Sequence, residues 1–89
     1  MKAVITVLGN DRIGIIYNVT KILSESQVNI LDISQTILQG FFTMVMIVDI
    51  EKCNLQFEEL QKVLHDKGVE MDITIRIQHQ QIFNSMHNI

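Results

Sequence analysis

The chain has no proline, a single cysteine, no cluster of lysine or arginine, and no long hydrophobic run. Each shortage excludes something. Without proline or a low-complexity stretch nothing marks a linker, so residues 1–89 read as one domain. The lone Cys53 rules out an internal disulfide and a cysteine-based zinc site. With no such staple, a reducing cytoplasm is the expected compartment. The formal net charge is −3. Nucleic-acid binding ordinarily needs a basic stripe that displaces counterions from phosphates, so no nucleic-acid partner is expected. The first apolar run stops at Leu8, with Asp11 and Arg12 just beyond and no small-residue cleavage site, so it does not read as a signal peptide. No segment approaches the ~18 apolar residues of a bilayer span, and no membrane partner is expected.

What remains is rich in apolar side chains, 47% of the residues. That is the composition of a packed globule rather than a disordered segment. A domain of this length buries only about 60–65% of the surface its unfolded chain exposes. An enclosed pocket of ~300–1,000 Å³ would consume much of that core. A ligand is therefore expected at a surface loop or between two copies.

Periodicity sets the element order. A β-branched strand over about 2–8 ends at Gly9-Asn10-Asp11. A helix over about 12–26 follows, with Asn10 or Asp11 as N-cap candidate and Ile15, Ile16, Val19, Ile22 and Leu23 on one face. Strands over about 28–38 and 41–50 are joined by a turn at Gln39-Gly40. A second helix over about 55–67 turns Phe57, Leu60, Val63 and Leu64 inward, spaces Glu58 and Lys62 for an exposed pair, and stops at Gly68. A last strand over about 69–78 alternates Met71, Ile73, Ile75 and Ile77 with Asp72, Thr74, Arg76 and Gln78. An echo of Lys21-Ile22-Leu23 and Val28 in Lys62-Val63-Leu64 and Val69 suggests a duplicated unit. The order β-α-β-β-α-β implies an α+β, ferredoxin-like sandwich: a four-stranded antiparallel sheet with both helices on one face, plus a C-terminal helical tail over 79–89.

Two features do not suit a lone copy. The third strand is apolar on both faces, Phe42, Met44, Met46 and Val48 against Phe41, Val45 and Ile47. The second strand, an edge, is long and nearly uncharged, with Leu31, Ile33 and Ile37 on one side and Ile30 and Leu38 on the other. Such an edge invites pairing with another chain. A homodimer is one answer. The tail, with Ile82, Phe83, Met86 and Ile89 at helical spacing, is another cover for the open surface, and both can hold.

The loop Gly9-Asn10-Asp11-Arg12-Ile13-Gly14 carries the most chemical information. Its glycines and capping residues fit a tight turn into a helix. They equally fit a site for a small zwitterion, whose carboxylate would take helix N-terminal amides and whose ammonium would take Asn10 or Asp11. The residue types alone leave both open.

This loop, followed by Ile15-Ile16, a helix and then Val28-Asn29-Ile30-Leu31-Asp32-Ile33, resembles the ACT domain family over the whole chain. More narrowly it is similar to the small stand-alone ACT proteins of bacteria and archaea (the UPF0237 type), relatives of the glycine-cleavage regulator. The resemblance implies a non-catalytic regulatory module that pairs side by side and binds an amino acid between copies. Carried over by position, the ligand loop would be Asn10, Asp11, Arg12, Ile13 and Gly14. The partner strand would add Asn29, Ile30 and Leu31. The chain departs from the family at Ile13, where many members carry proline, which would pre-set the start of the helix.

Other readings have less behind them. A ligand-free adaptor that docks a partner protein through its sheet face or tail is the main alternative. An acylphosphatase-like enzyme shares the element order, with Arg12 and Asn29 or Asn10 as nominal residues, but the loop is short and no second cation supports Arg12. Gly40-Phe41-Phe42 faintly matches an RNA-recognition strand, yet Gln39 stands where a cation is needed and the first strand has no aromatic. Cys53 has no base beside it and reads as a small hydrophobe. Three scattered histidines, His65, His79 and His87, do not make a ligand set, and no metal or cofactor is called for. Asp32 and Asp49 sit inside strands, where acids are depleted.

Overall fold

The computed structural model describes residues 1–81, which form β1 (Lys2–Asn10), α1 (Ile15–Glu25), β2 (Asn29–Leu38), β3 (Phe41–Asp49), α2 (Phe57–Met71) and β4 (Ile73–His79). Most of the expected tail, with His87, lies outside the described residues. The strands form one antiparallel sheet in the order β2-β3-β1-β4, the ferredoxin-like plan. β1 and β3 occupy the centre because their alternate residues are the most apolar.

Register settles the faces. Ile5 stands between Met46 and Ile77, and Val7 between Met44 and Ile75. These side chains are buried with Ile15, Val19, Ile22 and Leu23 of α1 and Leu60 and Leu64 of α2. Both helices therefore cover one face. The other face, with Thr6, Leu8, Val45, Ile47 and Phe41, has no described helix upon it.

Several expected details move. The second helix does not stop at Gly68 but runs on to Met71, so the last strand begins at Ile73 rather than Val69. A Cβ on Gly68 would lie 2.7 Å from the Ile73 carbonyl oxygen. Glycine is there so that helix and strand can approach, and the left-handed stop falls at Asp72 (φ 58°). Val63 and Val69 face solvent rather than the core, so the Val28–Val69 echo carries no shared structure. Lys62 pairs with Asp66 at 2.8 Å rather than with Glu58. In β2 a bulge at Leu31, between the pairs Ile30–Val48 and Asp32–Ile47, re-phases the strand. Ile30 thereby joins Ile33 and Ile37 on the helix-side face instead of opposing them, since a bulge adds one residue to the alternation.

Candidate functional site

The loop after β1 is pinned at both ends. The backbone N–H of Asp11 donates to the Gly40 carbonyl at 2.7 Å, tying the loop to the β2–β3 turn. At the other end Gly14 is the N-cap of α1 in the left-handed region (φ 91°, ψ 4°), a conformation that favours glycine. The Asn18 side chain donates to the Gly14 carbonyl at 2.7 Å. Between these anchors Asp11, Arg12 and Ile13 are exposed, Ile13 completely so.

This corrects the expected cap. Asn10 is the last residue of β1, opposite Phe41, and Asp11 uses its backbone on Gly40. Neither caps α1, which begins at Ile15 rather than Arg12. No side chain caps the helix, and its first turn holds no acidic residue. The positive end of the helix dipole is thus presented bare beside Asp11–Gly14, an arrangement that favours a small anion or carboxylate. Ile13 lies outside the helix, before the N-cap, so a proline there would stiffen the loop and not the first helical turn.

Asn10 follows the alternation of β1 onto the open face. There it borders a shallow cleft of about 450 Å³ with Phe41, Asp72 and Thr74. Arg12 reaches across to Asp72, Nη2 to Oδ2 at 3.5 Å. That contact tethers the loop to the α2–β4 corner, and no local motif announced it, because the partners are sixty positions apart in sequence. The signal in hindsight is the left-handed backbone at Asp72, which Asp and Asn tolerate better than most residues.

Asn29, Ile30 and Leu31 stand elsewhere. Asn29 pairs with Asp49, which in turn pairs with Lys2 at the start of β1. The loop of residues 11–14 follows Asn10 at the other end of that strand. Eight residues at ~3.3 Å each separate the two groups by about 26 Å. Within one chain they do not meet. The same separation parts Arg12 from Asn29 and removes that pair as an acylphosphatase-like couple.

The remaining singled-out residues have local partners. Asp49 accepts from the Glu51 backbone N–H at 3.0 Å and lies 3.4 Å from the Met1 ammonium. The Glu51 hydrogen bond, with the nearby ammonium and Lys2, holds its carboxyl below the usual aspartate range. Asp32 accepts the Ile33 N–H at 2.9 Å beside the bulge, which explains an acid in an edge strand. Cys53 is half-buried against the core, His79 stacks on Phe57 with ring centroids 4.0 Å apart, and Phe42 is a core residue while Phe41 is exposed. Among the described residues no three potential metal ligands cluster, and no helix is long and apolar enough to cross a membrane.

A βαββαβ sandwich with a glycine-bounded loop leading into an uncapped helix is the architecture of a small family of folds, and comparison decides among them. Residues 2–78 match the ACT domain family, and the chain belongs to it. A UPF0237 protein of Clostridium acetobutylicum is 47% identical over 89 residues, covering 100% of both chains. An ACT domain protein from Streptococcus pneumoniae has a solved structure that superposes with a TM-score of 0.80 at 38% identity, covering 93% of each chain. The regulatory subunit of aspartate kinase from Thermus thermophilus shares the fold, with a TM-score of 0.66 at 20% identity over 86% of this chain and 50% of that one.

Proposed function

We propose that the protein is a non-catalytic regulatory domain of the cytoplasm that binds a small amino acid between two copies of itself. The observation that carries this reading is the bare N-terminus of α1 beside Asp11–Gly14. Helix amides would receive the ligand carboxylate, and the Asp11 carboxylate, with the Asn10 amide at the loop's edge, would receive its ammonium.

The second half of the site comes from symmetry. β1 and β2 both run antiparallel to β3, so the loop lies at one end of the sheet and Asn29–Leu31 at the other. A two-fold axis near the middle of β2 exchanges these ends and brings one copy's loop to its partner's Asn29–Leu31. The surface that would be covered is apolar: Ile33 and Ile37 on the helix side of β2, Ile16 and Tyr17 on the outer side of α1, and Ile13 in the loop all carry large exposed area. One such residue is ordinary on a monomer; five on one edge suit an interface. The ACT fold of an aspartate kinase regulatory subunit agrees with a regulatory role near amino-acid metabolism.

The test is a thermal-stability screen of the common amino acids with light scattering on the same samples. A ligand at about 100 times its dissociation constant adds ~2.7 kcal/mol to the native state. The expected result is a dimer whose melting temperature rises with one amino acid or a close group of them. A monomer at micromolar concentration, or a melting temperature that none of them moves, overturns the reading.

A further inference from the structure

The segment between β3 and α2 is irregular, yet it is tied down along its length. The Ile50 N–H donates to the Met1 carbonyl at 2.9 Å, and the Cys53 N–H donates to the Ile50 carbonyl at 3.1 Å. Asn54 grips the end of α1 twice, with its backbone N–H on the Ser26 carbonyl at 3.0 Å and its side-chain amide on the Glu25 carbonyl at 3.1 Å. Gln56 and Glu59 then form a capping box that fixes the start of α2. This frame borders a cavity of about 320 Å³ at the Met1 end of the sheet. Ile50, Cys53, Leu55 and Phe57 line it, and Leu60, itself wholly buried, forms its inner end. The first four pack against the core but stay only half-buried, so apolar surface is left turned to the cavity. His79, stacked on Phe57, completes the lining from β4.

We propose that this cavity binds a small carboxylic acid with a branched aliphatic body, the body against Leu55 and Phe57 and the carboxylate toward Lys2. The walls are set by backbone hydrogen bonds that need no ligand, and small-molecule sites are typically pre-formed, mostly apolar hollows with a few polar groups that fix orientation. So apolar a lining offers few of the polar partners that hold a water in place, and an aliphatic group is the better occupant. The charged groups choose the head. A second hollow shares Met1 and His79 with the first and is otherwise lined by Lys2, Gln80 and Gln81, with no acid among them. Lys2 makes no ion pair among the described residues, although its charge also acts on Asp49. Asp49 itself is engaged by the Glu51 N–H and the Met1 ammonium. Glu51 lines the apolar cavity but not the second hollow, so an ammonium head has no carboxylate to meet on the Lys2 side.

The site is separate from the proposed amino-acid site: it uses neither the loop of residues 11–14 nor Asn29–Leu31, and it needs no second copy. It is tested by methyl NMR on the full chain with isocaproate as the probe and isohexylamine, the same body with the opposite charge, as the comparison. The expected result is saturable shifts of the Leu55 and Leu60 methyls while those of Leu38 and Val63 stay in place. Bound isocaproate is also expected to slow alkylation of Cys53 by iodoacetamide, a readout on the unaltered chain. Lys2→Gln should weaken isocaproate roughly two- to fivefold, the share an exposed charge contributes. Leu55→Trp, which fills the cavity, should abolish the shift at Leu60, and Asp11→Ala should bind as wild type does. Shifts that do not saturate, an amine that binds as tightly as the acid, or Cys53 alkylated equally fast with and without the probe would each overturn the proposal. So would loss of binding in Asp11→Ala, which would assign the probe to the loop instead.

Discussion

Gly14→Ala strikes the point where the loop after β1 becomes a helix. Gly14 has φ 91°, and a residue with a Cβ in the left-handed region costs roughly 1–2 kcal/mol. The new Cβ would sit 3.3 Å from Asn18 Nδ2, the atom that donates to the Gly14 carbonyl at 2.7 Å. Displacing it weakens a hydrogen bond worth about 0.5–1.5 kcal/mol. The combined loss is about 2 kcal/mol, or roughly 8–16 °C in Tm for a domain of this size. Gly40→Ala is the control: its φ is 79°, but a Cβ there meets nothing within 4 Å, so only the backbone cost applies. Gly14→Asn keeps a residue that tolerates this region and is expected to lose less. Circular dichroism melts at one fixed protein concentration make the comparison. A Gly14→Ala variant within ~0.5 kcal/mol of wild type, against the left-handed cost, would refute the strain argument. Equal losses for Gly14→Ala and Gly40→Ala would refute the Asn18 contribution.

Three further substitutions follow the same geometry. Gly68→Ala gains helix propensity of up to ~1 kcal/mol but drives a Cβ to 2.7 Å from the Ile73 carbonyl and 3.2 Å from the Ile75 nitrogen; these are backbone atoms that cannot swing aside, so urea melts are expected to show a net loss of about 1–2 kcal/mol. Asp72→Gly relieves the left-handed backbone at φ 58° and is expected to raise stability by several tenths to about 1 kcal/mol, because the exposed Arg12 pair it removes contributes little. Asp49 has its carboxyl held below the usual range by the Glu51 N–H and the Met1 ammonium. Its stabilisation is present above the ordinary aspartate range and is lost as pH falls through the lowered value. Acid unfolding of Asp49→Asn should accordingly lack part of the pH dependence that wild type shows, and identical curves would count against the interaction.

The element order was legible because each element has its own period. Ile73, Ile75 and Ile77 alternate with polar residues, the first strand stands out by its β-branched Val4, Ile5, Thr6 and Val7, and Ile15, Val19, Ile22 and Leu23 recur at helical spacing. Both helices cover one face, as the crossover rule anticipates. The misplaced boundaries trace to residues whose role depends on distant neighbours. Gly68 looks like a stop in sequence, but the β4 backbone pressing on it makes it an interior residue of α2. The bulge at Leu31 leaves no mark in a strand where nearly every side chain is apolar or small. The loop itself stood out through Gly9 and Gly14. Its cap assignment failed because the N-cap is left-handed Gly14, three residues beyond Asp11. The Arg12–Asp72 tether joins positions that only the fold brings together. The 26 Å between the loop and Asn29 emerges only from strand register.

That separation makes the central claim testable with two variants and their mixture. Asp11→Ala damages the loop half of the proposed site, and Asn29→Ala damages the strand half. If each site takes its loop from one copy and its strand from the other, either variant alone loses the binding of whichever amino acid stabilises the wild type. Unfolded and refolded together, they form mixed dimers in which one of the two sites is intact, so calorimetry should recover about a quarter of the wild-type binding capacity, as the symmetry of a two-fold pair requires. No recovery on mixing, with mixed dimers verified by mass spectrometry, would contradict a site shared between copies.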